Sequence, residues 1–230
     1  RVTKPLSRFG ASFQLNNNCN LPLVIKGSQN LKPIKFFENK GSAQCKSSVI
    51  FGGIKANGKT FIKAKKSRNH TELFFKYLKL PIRIKKNKNF DIIEIRKVRE
   101  IKPINYKIPS DISSGAFFIA LTVLSKKSKL IIKNINVNST RIGIVSILKK
   151  MGVKILLINK KIYKGEAIAD IFVESPKNLK SINCPSSLNS EAIDEFLIIF
   201  LIAAKAKGVS TFKNLEELNK KESPRLKWGS

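Results

Sequence analysis

Polar and charged residues recur at the predicted starts of helices, and they are the residues of this chain best suited to chemistry. Three predicted first helices start at Gly41-Ser42-Ala43-Gln44, at Ser110-Asp111-Ile112-Ser113-Ser114, and at Asn189-Ser190-Glu191 followed by Ile193-Asp194-Glu195. Three predicted second helices start at Ser67-Arg68-Asn69-His70, at Asn138-Ser139-Thr140-Arg141, and at Lys221-Glu222-Ser223-Pro224-Arg225. Helix N-termini offer free N–H groups and the positive end of the helix dipole, so with arginines they favour phosphate or carboxylate ligands.

A simpler interpretation of these residues is helix capping, because Ser, Asn and Asp side chains accept hydrogen bonds from the free N–H groups. Capping is sufficient for Asp111 and Ser139. It does not explain Arg68, Arg141 and Arg225, because the dipole disfavours a cation at a helix start unless an anion lies nearby. We therefore interpret these helix starts as candidate anion sites.

The elements that must position these residues recur in the order β-α-β-α-β-β. The first copy is predicted as strand 32–37, helix 41–55, strand 59–64, helix 69–80 and strands 82–86 and 91–96. The second is predicted as strand 103–108, helix 112–124, strand 128–133, helix 140–151 and strands 153–159 and 167–174. The anchors Phe61-Ile62-Lys63, Ile131-Ile132-Lys133 and Thr211-Phe212-Lys213 lie about 70 and then about 80 residues apart, which indicates an internal repeat.

Both ends of the chain interrupt this repeat. Strand 180–184, helix 191–207 and strand 209–213 begin a third copy, and the chain ends within its second helix. Residues 1–31 match the tail of an earlier copy, with helix 2–9 and strands 12–15 and 22–26. Because the chain also starts without Met, we expect a fragment of a longer protein.

The composition excludes several classes of protein. A chain of 230 residues that is 42% hydrophobic is too apolar for a disordered tail and can bury one large core or two smaller ones. Its longest apolar run, 196–204, is far shorter than the ~20 residues of a bilayer span, and no leader pattern begins the chain. Three distant cysteines and one histidine favour neither a disulfide framework nor a metal site. We expect a cytoplasmic protein without a membrane partner.

The net charge of +30 suggests nucleic acid, a membrane surface or a small polyanion as a partner, but the distribution of the charge does not single out any of them. The basic residues lie in short pairs throughout the chain, and no block of five occurs. Abundant Lys, Asn and Ile indicate an AT-rich genome, which accounts for most of the charge without any partner. We therefore expect no nucleic-acid partner.

Six motifs follow one another along the chain: Ser42-Ala43-Gln44-Cys45-Lys46-Ser47, Ser67-Arg68-Asn69-His70-Thr71-Glu72, Pro109-Ser110-Asp111-Ile112-Ser113-Ser114, Asn138-Ser139-Thr140-Arg141, Ile193-Asp194-Glu195-Phe196 and Lys221-Glu222-Ser223-Pro224-Arg225-Leu226. In this order they resemble the bacterial 5-enolpyruvylshikimate-3-phosphate synthase family. Arg1-Val2-Thr3-Lys4-Pro5-Leu6 resembles another segment of that family. The resemblance covers the whole chain and implies roughly the middle half of the enzyme.

The resemblance implies an α/β fold in which repeated β-α-β-α-β-β units form two domains of the enolpyruvyl transferase type, an inside-out α/β barrel that is incomplete here. Residues 1–108 would be a partial first lobe that contains one complete repeat, 32–100. Residues 109–230 would be a partial second lobe with one complete and one truncated repeat. When full-length, the protein is expected to be a monomer.

The resemblance also implies a reaction. The enolpyruvyl group of phosphoenolpyruvate passes to the 5-hydroxyl of shikimate 3-phosphate, and phosphate is released through a tetrahedral intermediate. No metal or organic cofactor is implied. Both substrates are polyanions, so cationic and dipolar groups are needed to hold them side by side. We expect the fragment alone to be inactive.

Site residues follow from the same resemblance. Those that match shikimate 3-phosphate ligands are Ser42, Ala43, Gln44, Ser67, Arg68, Asp194 and Lys221. Those that match phosphoenolpyruvate ligands are Gln44 and Arg225. Asp194 matches the carboxylate that takes the proton from the attacking hydroxyl, and Glu222 matches the acid that protonates the methylene carbon and later takes a proton back.

Other interpretations of these residues remain open. Asp194 is also suited to the first turn of a helix, and Glu222 and Arg225 are spaced as a surface ion pair. Pro224 stands where the family has an Asp before the arginine, which removes a residue that would orient Arg225, and Leu197 replaces a usual Pro.

Two alternative functions also remain. One is UDP-N-acetylglucosamine enolpyruvyl transferase, which shares the fold and one substrate. The other is a non-catalytic basic module that binds nucleic acid, for which affinity would fall steeply with salt.

Overall fold

The computed structural model describes residues 2–16, 20–220 and 223–229 of the chain. It divides into two compact units, Arg1–Asn105 and Tyr106–Ser230, called unit 1 and unit 2 below. The predicted division into two lobes of a longer enzyme, 1–108 and 109–230, stays a prediction.

Unit 1 opens with a short helix and a hairpin. The helix α1, Thr3–Ser7, is followed by the strands β1, Ser12–Asn16, and β2, Asn20–Lys26. The two strands pair antiparallel, with Ser12 opposite Lys26 and Phe13 opposite Ile25. The predicted helix and strand pair at the start of the chain are therefore confirmed.

The rest of unit 1 is one β-α-β-α-β-β repeat, as predicted. Its elements are β3 Lys35–Glu38, α2 Ala43–Gly53, β4 Lys59–Lys65, α3 His70–Tyr77, β5 Ile82–Lys86 and β6 Phe90–Arg96. They form a four-stranded sheet in the order β3-β4-β6-β5, in which only the β3–β4 pair is parallel. Alternation along β4 buries Thr60, Ile62 and Ala64, and Ile62 packs with Ile50 and Phe75 in the core of the unit.

Unit 2 contains a second copy of the same arrangement. Its elements are α4 Ile112–Leu124, β7 Lys129–Asn136, α5 Gly143–Lys150, β8 Lys154–Tyr163 and β9 Glu166–Glu174. The sheet order is β7-β9-β8, so the last strand lies between the other two, as in unit 1. Helices α6, Phe196–Ala203, and α7, Arg225–Gly229, follow, with short 3-10 helices at Ser186–Leu188 and Glu216–Lys220.

The predicted first strand of this copy, 103–108, is wrong. Pro103 and Pro109 have no N–H to donate to a ladder, and the N–H of Lys107 donates to the Tyr163 hydroxyl instead, at 3.0 Å. What remains is a single parallel bridge between Ser110 and Ile135. It occupies the place that the parallel β3–β4 pair has in unit 1.

The predicted strands 180–184 and 209–213 are reduced to isolated bridges. Lys180 pairs with Lys207 and Asn183 with Thr211, so the second segment takes one residue more than the first between the two contacts. Such an extra residue breaks the register, and no continuous ladder forms.

Two predicted helices begin later than expected, because turns replace their first residues. The helix predicted at 140–151 begins at Gly143, since the Asn138 side-chain oxygen accepts from the N–H of Thr140 at 2.9 Å and builds a turn there. The helix predicted at 191–207 spans only Phe196–Ala203, so Asp194 lies in the turns that precede it. Asp194 is therefore not a carboxylate of the first helical turn.

Candidate active site

Two side chains, those of Ser42 and Glu38, fix the start of α2 in unit 1 by hydrogen bonds to the backbone. The Ser42 side chain caps the helix and accepts from the N–H of Cys45 at 3.3 Å. Just before it, the buried Glu38 carboxylate accepts from the N–H groups of Lys40 at 2.9 Å and Gly41 at 2.8 Å. Both oxygens of Glu38 are thus used to shape the loop that presents Ser42.

A buried ion pair connects α2 to the start of α3. The Lys46 ammonium group lies 2.6 Å from a carboxylate oxygen of Glu72, and the two side chains are only 1% and 4% exposed. Lys46 also donates to the backbone carbonyl of Arg68 at 2.8 Å. Nothing in the sequence distinguishes Lys46 or Glu72 as a buried residue, because a charged residue within a helix is ordinarily solvated.

The other predicted site residues of unit 1 lie on the same two helix starts. Ala43 and Gln44 are the first two residues of α2. Ser67 and Arg68 lie in the loop between β4 and α3, and the buried hydroxyl oxygen of Ser67 has no hydrogen-bond partner among the residues that the structure describes. Lys46 therefore joins the segment of Ser42, Ala43 and Gln44 to that of Ser67 and Arg68.

Asp111 caps α4 in unit 2. One carboxylate oxygen accepts from the N–H of Ser114 at 3.1 Å, and the other accepts from the Arg141 guanidinium at 3.2 Å. Burial alone would raise the pKa of Asp111, but the Ser114 hydrogen bond and the Arg141 charge outweigh it and hold the pKa below 3.8. The cap is therefore ionised at neutral pH.

Arg141 gathers four acidic or hydroxyl groups around one guanidinium. Besides Asp111, its Nη2 donates to the Ser113 hydroxyl at 2.7 Å. Its Nη1 donates to Asp194 at 2.9 Å and lies 3.6 Å from Glu195, which the Ser113 hydroxyl also contacts. The sequence suggested an anion near Arg141, and the anions found there belong to the protein itself.

Asp194 lies between two arginines. Its Oδ2 accepts from Arg141 and its Oδ1 accepts from Nη1 of Arg225 at 3.0 Å. Arg225 is the first residue of α7, so Asp194 supplies the carboxylate that orients it in a chain where Pro224 replaces the family's usual Asp. Two of the predicted site residues are thereby brought into direct contact.

Lys221 and Glu222, the remaining predicted site residues, lie outside the residues that the structure describes. Their roles stay predictions, as does the alternative of an ion pair between Glu222 and Arg225.

Neither a cluster of metal ligands nor a membrane-spanning helix is found in the described part of the chain. No group of three or more His, Cys, Asp or Glu residues among residues 2–16, 20–220 and 223–229 is arranged to hold a metal ion. Over the same residues, no helix has the length and apolar character needed to cross a bilayer.

The β-α-β-α-β-β repeats match the enolpyruvyl transferase fold. The enolpyruvyl transferase NikO from Streptomyces tendae superposes with a TM-score of 0.64 over 90% of this chain, at 16% identity, which shows the fold alone. EPSP synthase from Acinetobacter baumannii superposes with a TM-score of 0.83 over 99% of this chain, at 33% identity. The model of the family EPSP synthase (3-phosphoshikimate 1-carboxyvinyltransferase) matches residues 1–228, and the chain belongs to that family.

Relatives in this family are about twice as long as the chain. The 3-phosphoshikimate 1-carboxyvinyltransferase of Caldicellulosiruptor saccharolyticus is 42% identical over 229 residues, which is 99% of this chain and 52% of the relative. That of Ruthia magnifica is 40% identical over 98% of this chain and 51% of the relative. The chain thus spans about half the length of the curated relatives it matches.

Proposed function

We propose that the protein transfers the enolpyruvyl group of phosphoenolpyruvate to the 5-hydroxyl of shikimate 3-phosphate and releases phosphate. The observation that carries the proposal is the contact between Asp194 and Arg225, 3.0 Å apart. Asp194 is the proposed proton acceptor for the attacking hydroxyl, and Arg225 is the proposed ligand of phosphoenolpyruvate. Their adjacency would bring the hydroxyl of one substrate beside the electrophilic carbon of the other.

Residues of unit 1 are proposed to hold shikimate 3-phosphate. Ser42, Ala43 and Gln44 would bind it at the start of α2, with Gln44 also near phosphoenolpyruvate. Ser67 and Arg68 would bind its phosphate before α3. The Ser67 hydroxyl, which has no hydrogen-bond partner within the described residues, supports this assignment because a ligand oxygen would satisfy it.

The chemical step needs two proton-transfer groups. Asp194 would take the proton of the 5-hydroxyl as the hydroxyl oxygen attacks C2 of phosphoenolpyruvate. Glu222 would protonate the methylene carbon and form the tetrahedral intermediate, then take a proton back as the bond to phosphate breaks. Lys221 would contact shikimate 3-phosphate. The reaction so written needs no metal or organic cofactor.

We further infer that the protein acts in the cytoplasm and is a monomer. The three cysteines, Cys19, Cys45 and Cys184, are far apart in the sequence and form no CxxC motif, which favours a reducing compartment over a disulfide framework. The family match favours this reaction over the UDP-N-acetylglucosamine alternative.

The test is phosphate release by the protein expressed from its complete coding sequence, with the product identified by mass spectrometry. We expect release only when phosphoenolpyruvate and shikimate 3-phosphate are both present. Asp194→Asn should lower kcat by about 10²- to 10⁴-fold, the contribution of a general base. Asp170→Asn, at a half-buried carboxylate of β9, is the matched control and should keep kcat.

Two results would count against the proposal. One is a wild-type protein that releases phosphate only when UDP-N-acetylglucosamine replaces shikimate 3-phosphate. The other is a wild-type protein that shows no reaction but binds an oligonucleotide with an affinity that falls steeply as salt rises.

A further inference from the structure

Arg141 joins three parts of unit 2 through its two terminal nitrogens. Nη2 is anchored on the start of α4, where it donates to Asp111 and Ser113. Nη1 faces the segment before α6, where it donates to Asp194. The backbone of Arg141 is fixed as well, since its N–H donates to the Asn138 carbonyl at 2.8 Å. The side chain is 13% exposed, so water competes little for these bonds.

We propose that Arg141 is a positioning residue that holds the Asp194 carboxylate in the orientation needed to accept the proton of the substrate hydroxyl. This inference rests on the proposed function. Arg141 does not itself touch the reacting atoms; it acts by transmitting the position of α4 to Asp194.

Asp194 needs such a support because the helical backbone does not provide one. It precedes α6, which begins only at Phe196, so helical hydrogen bonds do not set the direction of its side chain. Arg141 and Arg225 approach different oxygens of the carboxylate. The two bonds hold both oxygens and so fix the plane of the carboxylate.

The arrangement also sets the charge around the base. Arg141 from the turn before α5 and Arg225 from α7 face Asp194, while Glu195 beside it and Asp111 at the start of α4 share Arg141. Removing Arg141 therefore removes a cation and leaves carboxylates that it had neutralised. A nearby cation favours the ionised form of an acid, so without it the base becomes protonated at higher pH.

The experiment compares Arg141→Met and Arg141→Lys in the protein expressed from its complete coding sequence. A displacement of about 1 Å at a reacting group costs on the order of 10²-fold in rate, so Arg141→Met should lower kcat by about 100-fold. The KM for each substrate should change far less, and the acid limb of the kcat–pH profile should move to higher pH. Arg141→Lys restores the charge and one donor, and it should recover part of both effects.

Arg96→Met is the matched control, because Arg96 also pairs with a carboxylate, that of Glu94, but at the surface of unit 1. It should leave kcat and the pH profile unchanged. Circular dichroism of each variant separates misfolding from a loss of positioning. If Arg141→Met does not fold, Arg141→Lys decides alone, with a lower kcat and an unchanged KM expected.

The outcomes separate the two proposals. If the wild-type protein transfers enolpyruvyl groups and Arg141→Met keeps its kcat and its acid limb, the positioning role is refuted while the function stands. If KM rises and kcat does not fall, Arg141 serves binding, which also refutes the role. If the wild-type protein lacks the reaction, the proposed function fails and the inference fails with it.

Discussion

Removing the Lys46 ammonium group should destabilise unit 1 strongly. In the variant Lys46→Met, the Glu72 carboxylate stays buried without its cation, and the carbonyl of Arg68 loses its donor. Methionine fills a similar volume, so the change removes the charge with little change of packing. The effect measured is therefore mainly that of a buried, uncompensated carboxylate.

The expected magnitude follows from burial. Deleting one partner of a buried ion pair costs about 3–5 kcal/mol of unfolding free energy. At about 1.4 kcal/mol per factor of ten, the amides of α2 and β4 that exchange only on unfolding of unit 1 should exchange roughly 10²- to 4 × 10³-fold faster. Hydrogen exchange read by mass spectrometry measures this in the intact chain and reports each unit separately.

Two further variants make the comparison decisive. Lys46→Met with Glu72→Leu removes both charges and should recover most of the lost stability, because apolar residues often replace a buried pair without cost. Lys154→Met breaks an ion pair of similar length, 2.8 Å, whose lysine is 62% exposed, and should leave exchange in unit 2 almost unchanged. Equal exchange rates for Lys46→Met and wild type, or a double variant less stable than the single one, would refute the reasoning.

Three other variants test the supports of the site. Gly143→Ala should lower the unfolding free energy of unit 2 by about 1–3 kcal/mol in urea unfolding, since the added Cβ would lie 2.7 Å from the backbone of residues 191–192. Its control is Gly115→Ala, where the nearest atom to the added Cβ is at an ordinary 3.5 Å, so this variant should be neutral or stabilising. Asp111→Asn keeps a cap but removes the carboxyl group whose pKa is lowered in the folded state. In the wild type, that group stabilises unit 2 at pH values above 3.8, and the stabilisation is lost as the pH falls through the pKa of Asp111 in the folded state. The unfolding midpoint of Asp111→Asn should therefore fall less steeply than that of wild type in acid, and parallel curves would contradict this. Glu38→Gln turns an amide NH₂ toward one of two backbone N–H donors and should cost about 1–3 kcal/mol, read by the same exchange measurement in unit 1.

Local signals in the sequence were sufficient to predict most of the fold. The helix α4 was predicted with its observed bounds, because Asp111 marks its start and an apolar run fills it. The strand β5 was equally well bounded, by Pro81 on one side and a polar turn on the other. Residues 103–108 alternate in hydropathy like a strand, but Pro103 lies within them and Pro109 follows them. A hydropathy pattern does not show that a proline lacks the N–H donor that a sheet requires.

The candidate site was less predictable, because its contacts join residues that are distant in sequence. The resemblance selected Asp194 and Arg225 singly, but nothing in either motif indicates that they touch. Arg141 and Asp194 are 53 positions apart, and only the packing of α4, α5 and α6 brings them together. Arg141 near a helix start correctly indicated a nearby anion, but the sequence did not show whether that anion is a ligand or a side chain of the protein.

In each unit, an ion pair connects the first helix of the repeat to the start of the second, but the positions of the cation and the acid are exchanged between the two units. In unit 1 the cation, Lys46, is on the first helix and the acid, Glu72, is on the second. In unit 2 the acid, Asp111, begins the first helix and the cation, Arg141, precedes the second. If the units descend from one ancestral copy, both kept an ion pair between these two helices, while the charged residues were acquired or exchanged independently. A hybrid that joins the first helix of unit 1 to the second of unit 2 would set cation against cation, so the two copies are no longer interchangeable.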